Sequence, residues 1–196
     1  MTVRKIVKYG TPSLREKSKE VHKISKKIQL LVEDLYDTLY ALNGVGLAAP
    51  QIGENLRVFV VDVGTDPKTM NPITFINPKI LKKEGAVNSY EGCLSFPEAY
   101  TNVRRYKYVK VKATDIKGRP FIIEADGGSL LARCIQHEFD HLDGILFIDH
   151  CRNRFEADKI LTEKGLAPVD ANYLLDEKEL EEEIQHNPQP EEKKVD

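Results

Sequence analysis

The segment HEFDH (137–141) constrains the fold of this chain more than any other feature of its sequence. It lies within SLLARCIQHEFDHL (129–142), whose apolar spacing predicts an α-helix. Because residues four apart share one face of a helix, His137 and His141 can bind the same metal ion. Glu138 is rotated by about 100° from His137, so it can lie beside the metal and accept a proton from a water molecule there. The pattern therefore predicts a catalytic metal site on a helix.

Two histidines leave a metal site incomplete, and Cys93 in YEGCLSFPE is the best candidate for a third ligand. One thiolate and two imidazoles leave a fourth position open, which is typical of catalytic sites. These donors accept Fe²⁺, Zn²⁺, Co²⁺ or Ni²⁺, so residue types alone leave the metal open. Cys134 and Cys151 are interpreted as packing residues.

A third unusual segment is GVGLAAPQIG (44–53), in which glycines permit close approach of other groups. Gln51 is flanked by apolar residues, and a buried amide must find hydrogen-bond partners. An amide NH₂ directed at a developing oxyanion is one such use. The segment follows a predicted helix and precedes a predicted strand, which is the wrong context for a dinucleotide-binding loop.

Hydrophobic periodicity predicts an α+β fold with antiparallel or mixed β-sheets packed around the central metal-binding α-helix. Strands cluster between the helices, and Lys117-Gly118 predicts a hairpin turn. Ser25 is the expected N-cap of the first helix. Helices are expected at 26–42, 129–142 and 155–165, strands at 56–63, 73–76, 79–83, 86–90, 105–115 and 120–125, and an extended segment at 145–149.

Length and charge predict a single catalytic domain over residues 1–168, followed by an acidic, mobile tail over 169–196. Residues 171–196 contain nine acidic and three basic residues, whereas the whole chain has a net charge of −2. That near balance gives no signal for direct DNA binding. No apolar run reaches the roughly 18 residues of a membrane span. Three irregularly spaced cysteines and the lack of an apolar N-terminal signal favour a cytoplasmic protein.

Three segments, GVGLAAPQ (44–51), EGCLS (91–95) and QHEFDHLDG (136–144), together resemble the signature motifs of the peptide deformylases. The resemblance covers residues 3–150 and keeps the family's motif order. It implies a metal-dependent amidohydrolase that removes the formyl group from N-formylmethionine of newly synthesised proteins and releases formate. The implied partners are N-formylmethionyl nascent peptides and, transiently, the ribosome, and the implied state is a monomer.

The resemblance also implies roles for individual residues. Cys93, His137 and His141 match the ligands of one divalent metal ion per chain, natively Fe²⁺, with Zn²⁺, Ni²⁺ or Co²⁺ as alternatives. Glu138 matches the general acid and base. The side chain of Gln51 and the backbone N–H of Leu94 match the groups that stabilise the oxyanion. The catalytic residues are therefore expected to be Glu138, Gln51 and Leu94.

The expected substrate-binding residues surround the metal motifs. Val45, Leu130 and Cys134 match positions of the family's methionine pocket, and the stem of Arg133 can pack on it. Arg105 is expected to pair with Glu91 or Asp140 and to support the ligands, although an ordinary strand arginine is an alternative. The complete predicted set comprises Gly44, Val45, Gly46, Glu91, Gly92, Tyr100, Leu130, Arg133 and Cys134 for substrate, with Arg105 and Asp140 in support.

Two other functions remain open at the level of sequence. HEFDH (137–141) alone is also compatible with a metalloprotease that cleaves internal peptide bonds, although a cysteine ligand is unusual in that class. A binding module with a structural metal would need a fourth protein ligand, for which His150 and Cys151 are the only nearby candidates. Deletion of residues 171–196 is expected to leave hydrolysis of small peptides unchanged.

Overall fold

The protein is described by a computed structural model that covers residues 2–64, 70–151 and 154–169. Its three α-helices are α1 (Lys26–Ala41), α2 (Leu130–Leu142) and α3 (Arg154–Glu163). Its seven strands are β1 (Gly46–Ala48), β2 (Val58–Val61), β3 (Ile73–Glu84), β4 (Val87–Cys93), β5 (Phe96–Arg105), β6 (Tyr108–Thr114) and β7 (Pro120–Ala125).

The strands form two antiparallel sheets, which confirms the predicted α+β class. Five strands form one sheet in the order β1-β2-β3-β6-β7, and β4 and β5 form a separate two-stranded sheet. In the large sheet Phe59 lies opposite Phe75. Their rings stack with centroids 4.5 Å apart. In β6, Val109, Val111 and Ala113 are buried and the residues between them are more exposed. The predicted alternation of buried and solvent-facing side chains is therefore confirmed.

Helix α2 is central because its apolar face packs on the large sheet. Ile135 and Leu142 are fully buried in one cluster with apolar residues of β2, β3 and β6. Ser129 begins the helix, and its Oγ accepts a hydrogen bond from the amide of Ala132 at 3.3 Å, a typical N-cap. The packing on one face leaves His137 on a side that faces the second sheet, where it contacts Glu91 of β4.

Helix α1 covers the opposite side of the strand pair β1-β2. Its residues Ile28, Leu31, Val32, Leu35 and Leu39 are buried with apolar side chains of β1 and β2. The helix ends where Asn43 adopts a φ of 53°, a left-handed conformation that asparagine tolerates. Ser25 holds the predicted N-cap position, but its side chain makes no capping hydrogen bond.

Four predicted segments differ from the structure. The strand expected at 105–115 is divided, because Arg105 ends β5 and β6 begins at Tyr108. The two short strands expected at 73–76 and 79–83 are one strand, β3, interrupted by irregular pairing. The segment 145–149 is not extended, because Phe147–His150 form a 3₁₀ turn in which the Asp149 carboxylate accepts from the Leu146 amide at 2.7 Å.

The C-terminal part of the described chain packs against β5 through α3 and the residues after it. Val169 is buried, and its amide donates to the Asp158 carboxylate at 2.7 Å. The acidic tail was predicted over 169–196. Apart from Val169 it lies outside the described residues, and the boundary at 168 stays a prediction. Within the described residues every helix is too short or too polar to cross a lipid bilayer.

Candidate metal centre and cleft

The three predicted metal ligands meet at the junction between α2 and the second sheet. Cys93 ends β4, and His137 and His141 lie one turn apart on α2. Their ligand atoms all lie within 4.8 Å of one another, and the Cys93 Sγ is 3.3 Å from His141 Nε2. Among the described residues this is the one group of three or more donors at such spacing. The arrangement fits one thiolate and two imidazoles around a single divalent ion.

The surroundings of these donors also fit a metal. Burial alone would raise the pKa of the Cys93 thiol, but His141 and His137 beside it hold that pKa well below its ordinary value. The thiolate is the form that binds metals. Nδ1 of His137 donates to the Glu91 carboxylate at 3.1 Å, which leaves Nε2 for a metal. A carboxylate in this place is the usual partner of a metal-binding histidine.

A buried ionic network holds the ligand-bearing elements together around Arg105. The Arg105 side chain is 1% exposed, and it donates to Glu91 through Nη2 at 2.9 Å. Its Nη1 donates to Asp140, so it contacts both acids that the sequence offered as alternatives. His150 Nε2 also donates to Asp140, at 2.8 Å. Burial opposes ionisation of Asp140, but His150 and Arg105 lower its pKa to about 2.

His150 was considered from sequence only as a spare metal ligand, and the structure gives it another place. Its Nε2 is engaged with Asp140, and it is not among the three clustered donors. Cys151 is likewise not among the three clustered donors, and its Sγ lies 3.7 Å from Thr101 Oγ1. Within the described residues the group therefore has three protein donors, as in catalytic rather than structural metal sites.

Glu138 is a buried carboxylate beside the metal group. It is 4% exposed, and its Oε2 has no hydrogen-bond partner among the described residues. Burial raises the pKa of Glu138 to about 7. A carboxyl group with a pKa near neutrality can both accept and return a proton, as a general acid and base must. The free oxygen and the shifted pKa suit that role.

The Gln51 amide is oriented by its own backbone neighbours. It lies in a 3₁₀ turn (Ala49–Ile52), and its Oε1 accepts from the amide of Ala48 at 2.8 Å. Its Nε2 is therefore directed at the metal group, 3.3 Å from Cys93 Sγ and 3.5 Å from Ser95 Oγ. Gln51 is 1% exposed. The amide is thus a fixed donor at the place where the sequence predicted one.

The N-terminal segment supports the two loops that carry Gln51 and Leu94. The amide of Val7 donates to the carbonyl of Gln51 at 2.8 Å, and that of Tyr9 donates to Ser95 at 2.9 Å. Between them, Lys8 Nζ donates to the carbonyl of Leu94 at 2.9 Å. These contacts could not be predicted from local sequence patterns, because they join positions more than 40 residues apart.

A cleft of about 500 Å³ opens over this group. All nine predicted substrate-binding residues line it, together with Gln51, Cys93, Leu94, His137 and Glu138. Further lining residues that sequence reasoning missed are Lys8, Asn43, Ser89, Tyr90, Phe96, Pro97 and Glu98. Five consecutive residues of β4 (89–93) are included, so the cleft runs along the edge of this strand.

Two of the lining glycines allow contacts that a larger residue would prevent. A Cβ at Gly46 would lie 2.5 Å from Cys134 Sγ and 2.6 Å from Glu138 Oε1. A Cβ at Gly92 would overlap the ring of Tyr100. Tyr100 in turn stacks on Tyr90, with ring centroids 5.9 Å apart and both side chains exposed at the cleft. The glycines therefore set the shape of the cleft walls.

Comparison with known proteins gives one consistent result. The family model described as polypeptide deformylase matches residues 3–156. Peptide deformylase 1 of Clostridium acetobutylicum is 48% identical over 149 residues, which are 76% of this chain and 95% of that protein. Peptide deformylase 1 of Bacillus subtilis is 44% identical over 165 residues, 84% of this chain and 100% of that protein.

Comparison with solved structures gives the same family as comparison with sequences. A peptide deformylase from Synechococcus elongatus in complex with actinonin superposes with a TM-score of 0.78 at 38% identity, covering 87% of this chain and 88% of that one. A peptide deformylase from Legionella pneumophila superposes with a TM-score of 0.75 at 41% identity, covering 84% of this chain and 96% of that one. The matched region contains the three donors, Glu138, Gln51 and the cleft. This chain belongs to the peptide deformylase family.

Proposed function

We propose that this chain hydrolyses the formyl group of N-formylmethionine at the start of newly synthesised proteins and releases formate. The observation that carries the proposal is the group of Cys93, His137 and His141 at the base of the cleft, with the buried carboxylate of Glu138 beside it. Membership of the family supports this activity. The three-donor group supports its metal dependence.

Cys93, His137 and His141 would hold one divalent metal ion per chain. When bound, such an ion acts as a Lewis acid that activates water at neutral pH and polarises the formyl carbonyl. We assign Fe²⁺ as the native ion, because the family resemblance implies it. The donor set also accepts Zn²⁺, Ni²⁺ and Co²⁺. A thiolate beside Fe²⁺ is sensitive to oxygen, so the protein should be purified anaerobically.

Three groups of the chain would transfer the proton and stabilise the developing negative charge. Glu138 takes a proton from the attacking water and delivers it to the departing amine, so the C–N bond breaks as formate forms. Gln51 Nε2, held by the contact between its Oε1 and Ala48, would donate to the oxyanion. The backbone N–H of Leu94 would supply a second donor. One such donor commonly contributes about 3 kcal/mol to lowering the barrier.

The substrate peptide would lie along the edge of β4. Val45, Leu130 and Cys134 would contact the methionine side chain, and Gly44, Gly46 and Gly92 allow its close approach. The remaining wall consists of Glu91, Tyr100 and Arg133. We also propose that Arg105 and Asp140 position the ligands, with His150 as a third member of their network. None of these three contacts substrate in this assignment.

The substrate class suggests where the enzyme acts. Nascent chains are exposed at the ribosome, so we propose a cytoplasmic enzyme that contacts the ribosome transiently. We further propose that the chain does not bind DNA directly. We also propose a monomer with a single catalytic domain over residues 1–168. Co-sedimentation with translating ribosomes and light scattering of the purified chain test the contact and the oligomeric state.

The activity is tested by formate release from formyl-Met-Ala-Ser. We expect turnover by the wild type and a loss of about 10²–10⁴-fold in Glu138→Gln, because the variant keeps the shape of the side chain but cannot accept a proton. Metal content is measured on the same samples and should be one ion per chain in both. Full activity in the variant would disprove the role of Glu138. A metal-loaded wild type that releases no formate would disprove the proposed activity.

A further inference from the structure

We propose that two exposed rings, Tyr90 and Tyr100, bind the side chain of the residue that follows methionine in the substrate and favour an aromatic residue there. The inference rests on the proposed function and deepens it, because it names a class of peptide that the site prefers. It is carried by the face of the β4-β5 sheet on which the two rings lie and by their position at the cleft.

The two faces of the β4-β5 sheet have different surroundings. On the inner face, Ser89 accepts a hydrogen bond from Arg133 of α2 at 3.0 Å, and Glu91 accepts one from His137 of α2 at 3.1 Å. Tyr90 lies between Ser89 and Glu91, so its side chain points to the opposite, outer face, because side chains alternate along a strand. It is 68% exposed there. The inner face therefore contacts the metal-binding helix, and the outer face contacts solvent.

Tyr100 lies on the same outer face and extends from β5 across β4. It is paired directly opposite Gly92 of β4, and it is 51% exposed. A Cβ at Gly92 would lie 2.4 Å from Cε1 of Tyr100, so the ring occupies the space above this glycine. The ring stacks on Tyr90 with an angle of 18° between the ring planes. Both residues line the cleft, and together they are called the tyrosine pair.

Strand alternation places the second substrate residue on the face of the tyrosine pair. Strand β4 pairs with β5 and with no other described strand, so an extended peptide in the cleft can pair with its open edge. In the proposed assignment the methionine side chain contacts Leu130 and Cys134 of α2, on the inner face. Successive side chains of an extended peptide point to opposite faces. The second residue is therefore directed to the outer face, and the third returns to the inner face.

The chemistry of the tyrosine pair favours an aromatic side chain. Two adjacent and nearly parallel phenol rings present a flat surface, more than half of which is in contact with water. Aromatic rings pack on such a surface in offset-stacked or edge-to-face geometry and gain more than their buried area alone provides. A methyl group in the same place would leave most of the surface in water. The second residue should therefore be selected for a ring.

The wild type tests the inference with the peptides formyl-Met-Xaa-Ser-amide, in which Xaa is Phe, cyclohexylalanine or Ala. Cyclohexylalanine has nearly the size of Phe but no aromatic ring, so it separates aromatic stacking from burial. We expect kcat/KM to be about fivefold higher for Phe than for Ala, with cyclohexylalanine between them. The difference should appear mainly in KM, because the contact is made equally in the bound substrate and in the transition state.

Variants assign the preference to the tyrosine pair. Tyr90→Ser and Tyr100→Ser should each lower the ratio of Phe to Ala towards one, whereas Tyr90→Phe keeps the ring and should keep the ratio. A general loss of folding would lower all peptides equally and leave the ratio unchanged. Phe155→Ser is the matched control, since it removes a ring that is 88% exposed on α3 and lies outside the cleft lining. It should keep the wild-type ratio.

A second series, formyl-Met-Ala-Xaa-amide, tests the alternation itself. The same side chains are now in the third residue, which is directed to the inner face. The ratio of Phe to Ala in this series should therefore be the same in the wild type, Tyr90→Ser and Tyr100→Ser. Equal effects of these variants on both series would overturn the inference, because the position of the ring in the peptide would then not matter.

The remaining outcomes separate this inference from the proposed function. Equal kcat/KM for Phe and Ala as second residue in the wild type would overturn the inference and leave deformylation established. An unchanged preference in both Tyr90→Ser and Tyr100→Ser would also overturn it, because another group would then bind the ring. Absence of formate release from every peptide would instead overturn the proposed function.

Discussion

Gln51 illustrates how a single side chain is fixed for chemistry by contacts made within its own turn. Its Oε1 is occupied by the Ala48 amide, so the NH₂ group must face Cys93 and the cleft. Burial leaves the amide no solvent with which to exchange these bonds. A donor that is oriented before the substrate arrives needs no rearrangement during the reaction. For this reason such a donor stabilises the transition state effectively.

Gln51→Glu tests this donor. The variant keeps an acceptor for Ala48 but replaces the donating NH₂ with a second oxygen. We expect kcat to fall by about 10²–10³-fold, with a smaller change in KM, because the lost contact belongs to the transition state. Gln29→Glu on α1, outside the cleft lining, makes the same chemical change as a control. Equal activity of Gln51→Glu and wild type would exclude the proposed role.

Individual site residues could be predicted where a local sequence pattern or a family motif identifies them. The spacing of His137 and His141 follows from helix geometry alone, and Glu138 lies between them. Cys93 was already the best candidate for a third ligand from its own segment, YEGCLSFPE, and the family motif implied the same role. Lys8 and His150 were not assigned their places, since each contacts a residue that only the folded chain brings near.

Among the elements, strong hydrophobic patterns were predicted well and weak ones were not. Helices α1 and α2 have one continuous apolar face each, and β7 follows a clear turn. Strand β5 (Phe96–Arg105) was missed because its sequence contains Pro97, Glu98, Asn102 and two arginines. Its buried positions include small residues such as Ala99 and Thr101, which give little hydrophobic signal.

The packing of α1 can be measured by one matched pair of variants. Leu35 is fully buried, whereas Leu30 on the same helix is 47% exposed. We expect Leu35→Ala to reduce the free energy of unfolding by about 2–5 kcal/mol, because it removes buried methyl groups and leaves a cavity. Leu30→Ala should change it by less than about 1 kcal/mol. Urea unfolding followed by circular dichroism provides both values, and equal losses would contradict this packing.

The turn after α2 depends on the absence of a side chain at Gly144. Its φ is 73°, and a Cβ there would lie 2.7 Å from the backbone carbonyl carbon of Arg15. We expect Gly144→Ala to cost about 3 kcal/mol in unfolding free energy, from a strained φ and the displaced backbone. Gly165 has a similar φ of 68° but no atom within 4 Å, so Gly165→Ala should cost about 1 kcal/mol. Equal costs would contradict the close approach.

At the scale of the whole molecule, the metal ligands link parts of the chain that are otherwise separate. Cys93 ends the two-stranded sheet, while His137 and His141 belong to the helix on the five-stranded sheet. The unfolded chain keeps these donors apart, so a bound ion stabilises the folded state. The overall α+β class was predictable, because it depends on the sum of many elements rather than on each boundary.

Removal of the metal should therefore lower thermal stability. At a free-metal concentration about 100 times Kd, binding contributes about 2.7 kcal/mol, so anaerobic chelation should lower Tm by about 5–10 °C. Adding back Fe²⁺ or Ni²⁺ should restore Tm. Calorimetry with Cys93→Ala as the comparison gives the decisive result. A chelator effect of equal size in that variant would mean that the stabilising ion is bound elsewhere.

The edge of β4 that borders the cleft has a consequence for handling and inhibition. Strand β4 pairs with β5 on one side and with no other described strand, so residues 89–93 present backbone groups to whatever enters. An open strand edge can pair with any extended chain, including a second copy of the same protein. Concentrated preparations should therefore be more prone to self-association than preparations protected by a ligand. A small extended molecule that forms hydrogen bonds with this edge would at once inhibit the enzyme and keep it in solution.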